Sequence, residues 1–321
     1  MTQSPVFVIN PKSHRVNMKG SVLSRIAVDY GDIPIVYFDG SNPLGDALTP
    51  LLMDGKDTVY IEGGDGTVVA ALTACLESAS RGIALPRFAI LPGGSTNLTY
   101  KKLGLKTVDV ETLKRRLDQR KSNPVHEEFA THMALTIETT ETDTPFVGFL
   151  MSTGSLARLM LYTQENLHGK TRGVVSIGRA ILQLATFPHS TKFSDGLPVV
   201  RPSQFSVLGQ TDEMAEDEQA FSIFSTFREL SLGISPFWAR GDAPIGYTKA
   251  AWPIHQLRVG IAKALLGGAK TGLENHGLSS EGCAAMTFKT EGPILLDGEE
   301  LPMPKDQTYT VAISPPLEFI R

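Results

Sequence analysis

The stretch Tyr60-Ile61-Glu62-Gly63-Gly64-Asp65-Gly66-Thr67 decides the fold of this chain. It closes an apolar run, and a helical pattern of apolar residues starts at Thr67. The order strand, tight loop and helix brings free N–H groups and the positive end of a helix dipole to the glycines, so the loop is suited to phosphate. Glycines let the backbone reach positive φ and approach a ligand. The alternative is a plain glycine-rich turn with a threonine N-cap.

Asp65 adds a second requirement to this loop. Its carboxylate repels phosphate unless a metal ion lies between the two groups. The loop is therefore predicted to hold a metal–phosphate pair, although the sequence does not identify the metal ligands.

Length and composition limit the classes of function. The chain has 321 residues, which suggests two domains, with 41% hydrophobic and 20% charged residues. A net charge of −4 argues against nucleic acid as a partner. Two cysteines give no disulfide framework, and neither a signal-peptide pattern nor an apolar run of ~20 residues is present. We therefore expect a cytoplasmic protein.

The first part of the chain alternates apolar strands with helices. Strands are predicted at Pro5–Ile9, Ile33–Phe38, Asp57–Ile61 and Phe88–Leu91, and one helix is predicted from Val16 to Tyr30. A strand every ~25–30 residues with helices between is typical of βαβ units and a parallel sheet.

Polar residues follow each of these strands: Asn10, Ser41, Asp65 and Asn97. Open α/β sheets bind ligands at the carboxyl ends of their strands, so we expect these residues to line one crevice. The alternative at Asn10-Pro11 is an ordinary turn, because this pair commonly breaks regular structure.

The rest of the chain is predicted to be mainly antiparallel β-structure with a few helices. The helix at 174–187 is largely apolar, which favours core packing, whereas the alternative is a slot for an acyl chain. A further helix is predicted at 255–266. The basic helix at 108–121 is interpreted as a solvated surface, with contact to anionic lipid as the alternative.

The segment Asp297-Gly298-Glu299 is the second candidate for chemistry. Asp-Gly between apolar runs is a strong hairpin signal, so a turn is the simpler interpretation. Alternatively, Asp297 or Glu299 is a base that removes a proton from a hydroxyl nucleophile.

Taken together, these motifs resemble the diacylglycerol kinase catalytic family, which includes bacterial lipid kinases, sphingosine kinases and ceramide kinases. The resemblance spans nearly the whole chain and rests on four segments: Asn10-Pro11-Lys12-Ser13, Gly63-Gly64-Asp65-Gly66-Thr67, Leu91-Pro92-Gly93-Gly94-Ser95-Thr96-Asn97 and Asp297-Gly298-Glu299. The glycine motif alone is shared with NAD kinases and phosphofructokinases. The Asn-Pro start and the Asp-Gly-Glu end are typical of the lipid-kinase branch.

The resemblance implies an α/β plus mainly-β fold. Residues 1–122 would form a parallel-sheet nucleotide-binding domain, and residues 123–321 an antiparallel β-sandwich domain carrying the Asp-Gly-Glu motif. Return of the C-terminal strand to the first domain is left open. The ATP site would lie between the domains.

The resemblance also implies an activity and its residues. The family transfers the γ-phosphoryl group of ATP to a lipid hydroxyl and requires Mg²⁺. Glu299 would be the base and Asp65 would act through magnesium. The remaining nucleotide-binding residues would be Asn10, Gly63, Gly64, Gly66, Thr67, Ser95 and Asn97. The expected partner is a lipid at a membrane surface, reached by peripheral contact at the inner face, and a homodimer is left open.

The chain departs from the family pattern at several positions. Leu98 stands where the family has an acid, His14 replaces a glycine, and Glu127-Glu128 stand where an aspartate often opens the second domain. These changes put a magnesium network in doubt. Two alternatives to a lipid kinase follow: a catalytically weakened nucleotide- or lipid-binding homologue, and a soluble-substrate kinase of the NAD-kinase kind.

Overall fold

The computed structural model describes residues 4–94, 97–122, 128–140, 142–166, 192, 196–208, 214–230, 234–253, 272–302 and 307–321. The expected nucleotide residue Ser95 and the expected helices at 174–187 and 255–266 lie outside these described residues. The chain divides into two compact units, one formed by Met1–Met133 with Ser314–Arg321 and the other by Ala134–Ile313.

Strands and helices alternate in the first unit. Its strands are β1 (Pro5–Ile9), β2 (Ile35–Tyr37), β3 (Thr58–Gly63), β4 (Arg87–Pro92), β5 (Phe129–His132) and β17 (Leu317–Ile320). Its helices are α1 (His14–Lys19), α2 (Val22–Ala27), α3 (Leu44–Met53), α4 (Asp65–Ser80), α5 (Leu98–Leu103) and α6 (Val110–Ser122).

The sheet of the first unit has the order β2-β1-β3-β4-β17-β5. All neighbouring pairs run parallel except β17 and β5, which run antiparallel. Every residue of β3 is buried, as expected for a parallel strand covered on both faces. The predicted parallel α/β unit is confirmed. Because β5 pairs with β17 here, the unit extends past residue 122, where the sequence placed the domain boundary.

The single helix expected from Val16 to Tyr30 is wrong. Gly20, with φ of 76°, ends α1, and the Ser21 side chain accepts a hydrogen bond from the amide of Ser24 to cap α2. A glycine in this conformation interrupts the helix at little steric cost, and a serine N-cap starts a new one.

The described residues of the second unit form mainly strands. These are β6 (Leu135–Thr139), β7 (Thr142–Gly148), β8 (Leu150–Thr153), β9 (Ser203–Leu208), β10 (Met214–Ser225), β11 (Ile245–Ala251), β12 (Leu278–Cys283), β13 (Met286–Thr290), β14 (Ile294–Leu296), β15 (Glu299–Glu300) and β16 (Tyr309–Ile313). Helix α7 (Gly154–Asn166) follows β8.

All strand pairs of the second unit are antiparallel, which confirms the predicted fold class. Strand β10 pairs with β9 through its first half and with β8 and β11 through its second, with a register shift between Gln219 and Phe221. Stacked aromatic rings fill the core, for example Phe224 on Tyr247 at 4.4 Å and Phe205 on Phe288 at 4.9 Å between centroids.

Within the described residues, no helix combines the length and apolar character that crossing a membrane requires.

The close approach of the Gly93 and Gly63 backbones gives a stability prediction. A Cβ added at Gly93 would lie 2.6 Å from the backbone of Gly63, so Gly93→Ala must push the ends of β3 and β4 apart. We expect a loss of ~1–3 kcal/mol in the free energy of unfolding, as for other overpacked sites, measured by denaturant titration. Gly31→Ala is the control because its added methyl meets no atom within 4 Å. Equal stability of the two variants would contradict the packing argument.

Candidate functional site

The carboxyl ends of β1, β3 and β4 meet at one edge of the first sheet. Ile9 pairs with Glu62, and Gly63 pairs with Pro92. The pairing continues past the strands, since the amide of Asn10 donates to the Glu62 carbonyl at 2.9 Å and the amide of Gly93 donates to the Gly63 carbonyl at 2.9 Å. The loops that follow these strands are therefore held side by side.

Two glycine pairs bring the loops after β3 and β4 into backbone contact. A Cβ on Gly94 would lie 2.7 Å from the Cα of Gly64, and one on Gly93 would lie 2.6 Å from the Cα of Gly63. None of these glycines has a positive φ. The expectation that the loop needs glycine for positive φ is therefore wrong, and close packing of backbone on backbone is the reason for these residues.

Polar side chains from the loop after β1 complete this arrangement. The Asn10 side-chain amide donates to the hydroxyl of Thr67 at 2.9 Å, and its carbonyl oxygen accepts from the amide of Lys12 at 3.0 Å. The hydroxyl of Ser13 accepts from the amide of Gly64 at 3.2 Å. Asn10, Gly64 and Thr67, which the sequence assigned to nucleotide binding, thus belong to one hydrogen-bonded group.

Helix α4 begins at Asp65, two residues before the expected start. As the first residues of a helix, Asp65 and Gly66 have amides without intrahelical partners. These amides make no other hydrogen bond within the described part of the chain. Two free donors at the positive end of a 16-residue helix can bind an anion.

The carboxylate of Asp65 caps the next helix. Its two oxygens accept from the amide of Leu98 at 3.2 Å and from the amide of Thr99 at 3.0 Å, which are the first amides of α5. The sequence pattern indicated only a metal as the partner of this acid. The structure shows that Asp65 also fixes the position of α5 relative to the loop.

Asn97 closes the loop after β4 on itself. It adopts the left-handed conformation with φ of 50°, which asparagine tolerates better than most residues. Its side-chain oxygen accepts from the amide of Gly94 at 2.8 Å, and its side-chain nitrogen donates to the Gly94 carbonyl at 2.7 Å. These side-chain groups are therefore occupied within the loop.

Ser41, the polar residue expected after β2, lies in an exposed turn. Its amide donates to the carboxylate of Asp39 at 3.0 Å, and Lys12 forms an ion pair with the same carboxylate at 2.7 Å. The hydrogen bond from Lys12 and those from Ser41 hold the pKa of Asp39 well below its usual range. This contact links the loops after β1 and β2.

Glu62 is a structural residue that the sequence reasoning missed. It is 3% exposed, and it accepts hydrogen bonds from the Ser21 hydroxyl at 2.5 Å and from the amides of Val22 and Leu23 at 2.8 and 2.9 Å. It therefore caps α2. The sequence signal that could have identified Glu62 is an ionisable residue inside a largely apolar strand. Such a residue is buried only when hydrogen bonds or ion pairs compensate its charge.

The residues of the first unit fit a magnesium–nucleotide pair that is coordinated mainly by water and phosphate. Among the described residues no group of three or more His, Cys, Asp or Glu could hold a metal ion. Magnesium commonly keeps several waters and uses one or two carboxylates together with substrate phosphates. Asp65 retains acceptor capacity beyond its two amide partners, since a carboxylate offers about four lone-pair sites.

In the second unit, Asp297-Gly298 forms the turn of the hairpin between β14 and β15. Both residues have positive φ, 51° and 93°, as a two-residue type I′ turn requires. The Asp297 carboxylate accepts from the amides of Phe149 and Leu150, each at 2.9 Å. The turn interpretation holds for Asp297, whose carboxylate is engaged by backbone amides.

Glu299 follows this turn as the first residue of β15 and is exposed. It pairs through the backbone with Leu296. Its carboxylate is therefore accessible to solvent, and its assignment as a base stays a prediction.

Comparison with known proteins supports a family for the first unit. Residues 5–127 match the family model for the diacylglycerol kinase catalytic domain. No curated protein matched the chain. A solved diacylglycerol kinase from Bacillus anthracis str. Sterne is 14% identical, with a TM-score of 0.57 and coverage of 97% of this chain and 94% of that chain.

A second chain from the same organism, provisionally named a diacylglycerol kinase, is 15% identical. Its TM-score is 0.58, with coverage of 96% of this chain and 93% of that chain. At such identities the likeness shows a shared fold that extends over both units.

The carboxylate of Asp297 gives a prediction for the second unit. Asp297→Ala leaves two backbone amides of Phe149 and Leu150 without their acceptor, so we expect a loss of ~2–3 kcal/mol in the free energy of unfolding. Denaturant titration measures it. The control is Glu300→Ala, which alters an exposed residue of the same hairpin and should change stability by less than ~0.5 kcal/mol. If both variants lose the same amount, the amide contacts are not what stabilises the turn.

Proposed function

We propose that this protein is an ATP-dependent lipid kinase, because residues 5–127 match the family model for the diacylglycerol kinase catalytic domain. It transfers the γ-phosphoryl group of ATP to a hydroxyl of a diacylglycerol-like lipid. The observation that carries the proposal is the pair of amides at the start of α4, on Asp65 and Gly66, that make no hydrogen bond to any described residue. Their setting between packed glycine loops is suited to a polyphosphate.

The residues of the first unit bind and orient the nucleotide in this proposal. The amides of Asp65 and Gly66 donate to phosphate oxygens, and the dipole of α4 favours their negative charge. Asn10 holds the Thr67 hydroxyl in place at 2.9 Å. When bound, magnesium neutralises phosphate charge, and Asp65 is the carboxylate suited to hold it through water.

Glu299 supplies the base. Its carboxylate takes the proton of the lipid hydroxyl as the hydroxyl oxygen bonds to the γ-phosphorus. The bond between the γ-phosphorus and the bridging oxygen breaks, and ADP leaves with that oxygen. The carboxylate is exposed, so a substrate hydroxyl can approach it.

The decisive experiment measures ADP formation by the purified protein with ATP and Mg²⁺. Acceptors are diacylglycerol, monoacylglycerol and ceramide in mixed micelles, with NAD as the soluble alternative. We expect ADP formation that depends on a lipid acceptor. Phosphorylation of NAD alone would favour a soluble-substrate kinase. ATP binding without turnover on any acceptor would favour the weakened binding homologue that Leu98 suggested.

Glu299→Gln separates catalysis from binding in the same assay. Glutamine keeps the shape of the side chain and loses its proton affinity, so kcat should fall by ~10²–10⁴-fold with little change in the KM for ATP. Glu300→Gln is the matched control because Glu300 is the next residue and is also exposed. Unchanged kcat in Glu299→Gln would remove Glu299 from the mechanism.

Gly66→Ala tests the nucleotide loop directly. The added methyl meets no protein atom within 4 Å, so it leaves the fold intact and changes the stability of α4 by no more than ~1 kcal/mol. A phosphate held by the neighbouring amides would meet this methyl, and we expect at least ~10-fold weaker binding of ATP·Mg²⁺, about 1.4 kcal/mol. Isothermal titration calorimetry gives the affinity. Full affinity in a stable Gly66→Ala protein would place the nucleotide elsewhere.

A further inference from the structure

The second unit contains two arginines whose charges no described carboxylate balances. Arg158, in α7, is 3% exposed, and Arg201 precedes β9. Neither forms an ion pair within the described part of the chain. Glu291 acts on the charge of Arg158 from a distance, but it is exposed and does not pair with it.

Arg158 is bound by neutral acceptors. Its guanidinium donates to the carbonyl of Val199 at 3.3 Å, to the carbonyl of Arg201 at 3.1 Å and to the hydroxyl of Ser203 at 3.0 Å. Burial, with a smaller contribution from the charge of Arg201, lowers its pKa to about 10. The guanidinium is thus satisfied as a hydrogen-bond donor, but none of the described carboxylates contacts its positive charge.

The side chain of Arg201 has a hydrogen-bond donor without an acceptor. Its Nη1 atom is fully buried and makes no hydrogen bond within the described part of the chain. The backbone of Arg201 is fixed to the start of α7, because its amide donates to the Ser155 hydroxyl at 3.2 Å and its carbonyl accepts from that hydroxyl at 3.0 Å. The positive end of a 13-residue helix therefore lies beside this segment.

We infer that Arg201, together with Arg158 and the first turn of α7, forms an anion site for a phosphate group. Burying a cation without a counter-charge is costly, and a bound anion removes that cost. A phosphate with a charge near −2 balances two guanidinium groups, whereas one carboxylate balances only one. The site lies wholly within the second unit and does not depend on the proposed kinase activity.

The test compares thermal unfolding of the wild type, Arg201→Gln and Lys289→Gln in chloride and in inorganic phosphate at equal ionic strength. Phosphate should raise the Tm of the wild type by several degrees above its value in chloride, because an anion that binds only the folded state stabilises it. Arg201→Gln should show a clearly smaller shift, which keeps only the part that comes from the start of α4 and from the general effect of phosphate on folded proteins. Lys289→Gln, which removes an exposed positive charge from the same unit, should keep it.

The Tm of Arg201→Gln in chloride, compared with that of the wild type, distinguishes a binding site from a structural contact. Arg201→Gln removes an uncompensated charge, so in chloride its Tm should equal or exceed that of the wild type. Equal phosphate shifts in all three proteins overturn the inference. A lower Tm of Arg201→Gln in chloride with an unchanged phosphate shift also overturns it, because Arg201 would then be only structural.

A second measurement identifies the source of the phosphate group. Glycerol 3-phosphate represents a soluble phosphomonoester, and phosphatidylcholine vesicles with and without phosphatidic acid present a lipid headgroup. An Arg201-dependent Tm shift with glycerol 3-phosphate supports a soluble ligand. Arg201-dependent flotation with phosphatidic acid vesicles supports a headgroup. The absence of an Arg201-dependent response to inorganic phosphate and to both probes overturns the site.

Discussion

The contact between the backbones of Gly63 and Gly93 is the constraint on which the candidate nucleotide site depends. A Cβ added at Gly93 would lie only 2.6 Å from the facing backbone, so no side chain fits between the ends of β3 and β4. Because the strands end this close together, the Gly93 carbonyl also accepts the amide of Arg15 at 2.8 Å and thereby fixes the loop after β1. The start of α4 is then fixed between two loops. Its free amides are consequently held in place before any ligand binds, which reduces the ordering cost of binding.

Carboxylates also position helices and strands next to the two candidate sites. Glu62 caps α2, Asp65 caps α5, and Asp297 holds the amides after β7. In each case an acid accepts from two consecutive backbone amides. Buried amides need acceptors, and a charged acceptor forms a stronger hydrogen bond than a neutral one. The same residue type that performs acid–base chemistry in a kinase therefore also supports the framework.

Because the same acids serve in chemistry and in helix capping, only part of the fold and of the candidate site could be predicted from the sequence. The regular spacing of apolar strands along the sequence predicted the parallel sheet, and the glycine motif predicted the turn from β3 into α4. Both features could be predicted because each is encoded in residues that are close together in the sequence. The partners of Asp65 and Glu62 lie 33 to 41 residues away along the chain. No local pattern reveals such pairs. The positive φ expected of the loop glycines was wrong for the same reason, since Gly93 faces Gly63 only once the strands have paired.

The amide contacts of Asp65 explain how the loop can carry Leu98 where the family has an acid. A leucine cannot share a cation with Asp65, yet its amide donates to that carboxylate, and its side chain is buried. Asp65 therefore has partners even without a second acid beside it, and its carboxylate anchors the start of α5 through backbone amides. A cation at Asp65 would compete with these amides for the same two oxygens unless it used the remaining lone pairs. Magnesium that keeps its waters can use those lone pairs, so Leu98 leaves unchanged both the backbone amides that hold α5 and the carboxylate of Asp65.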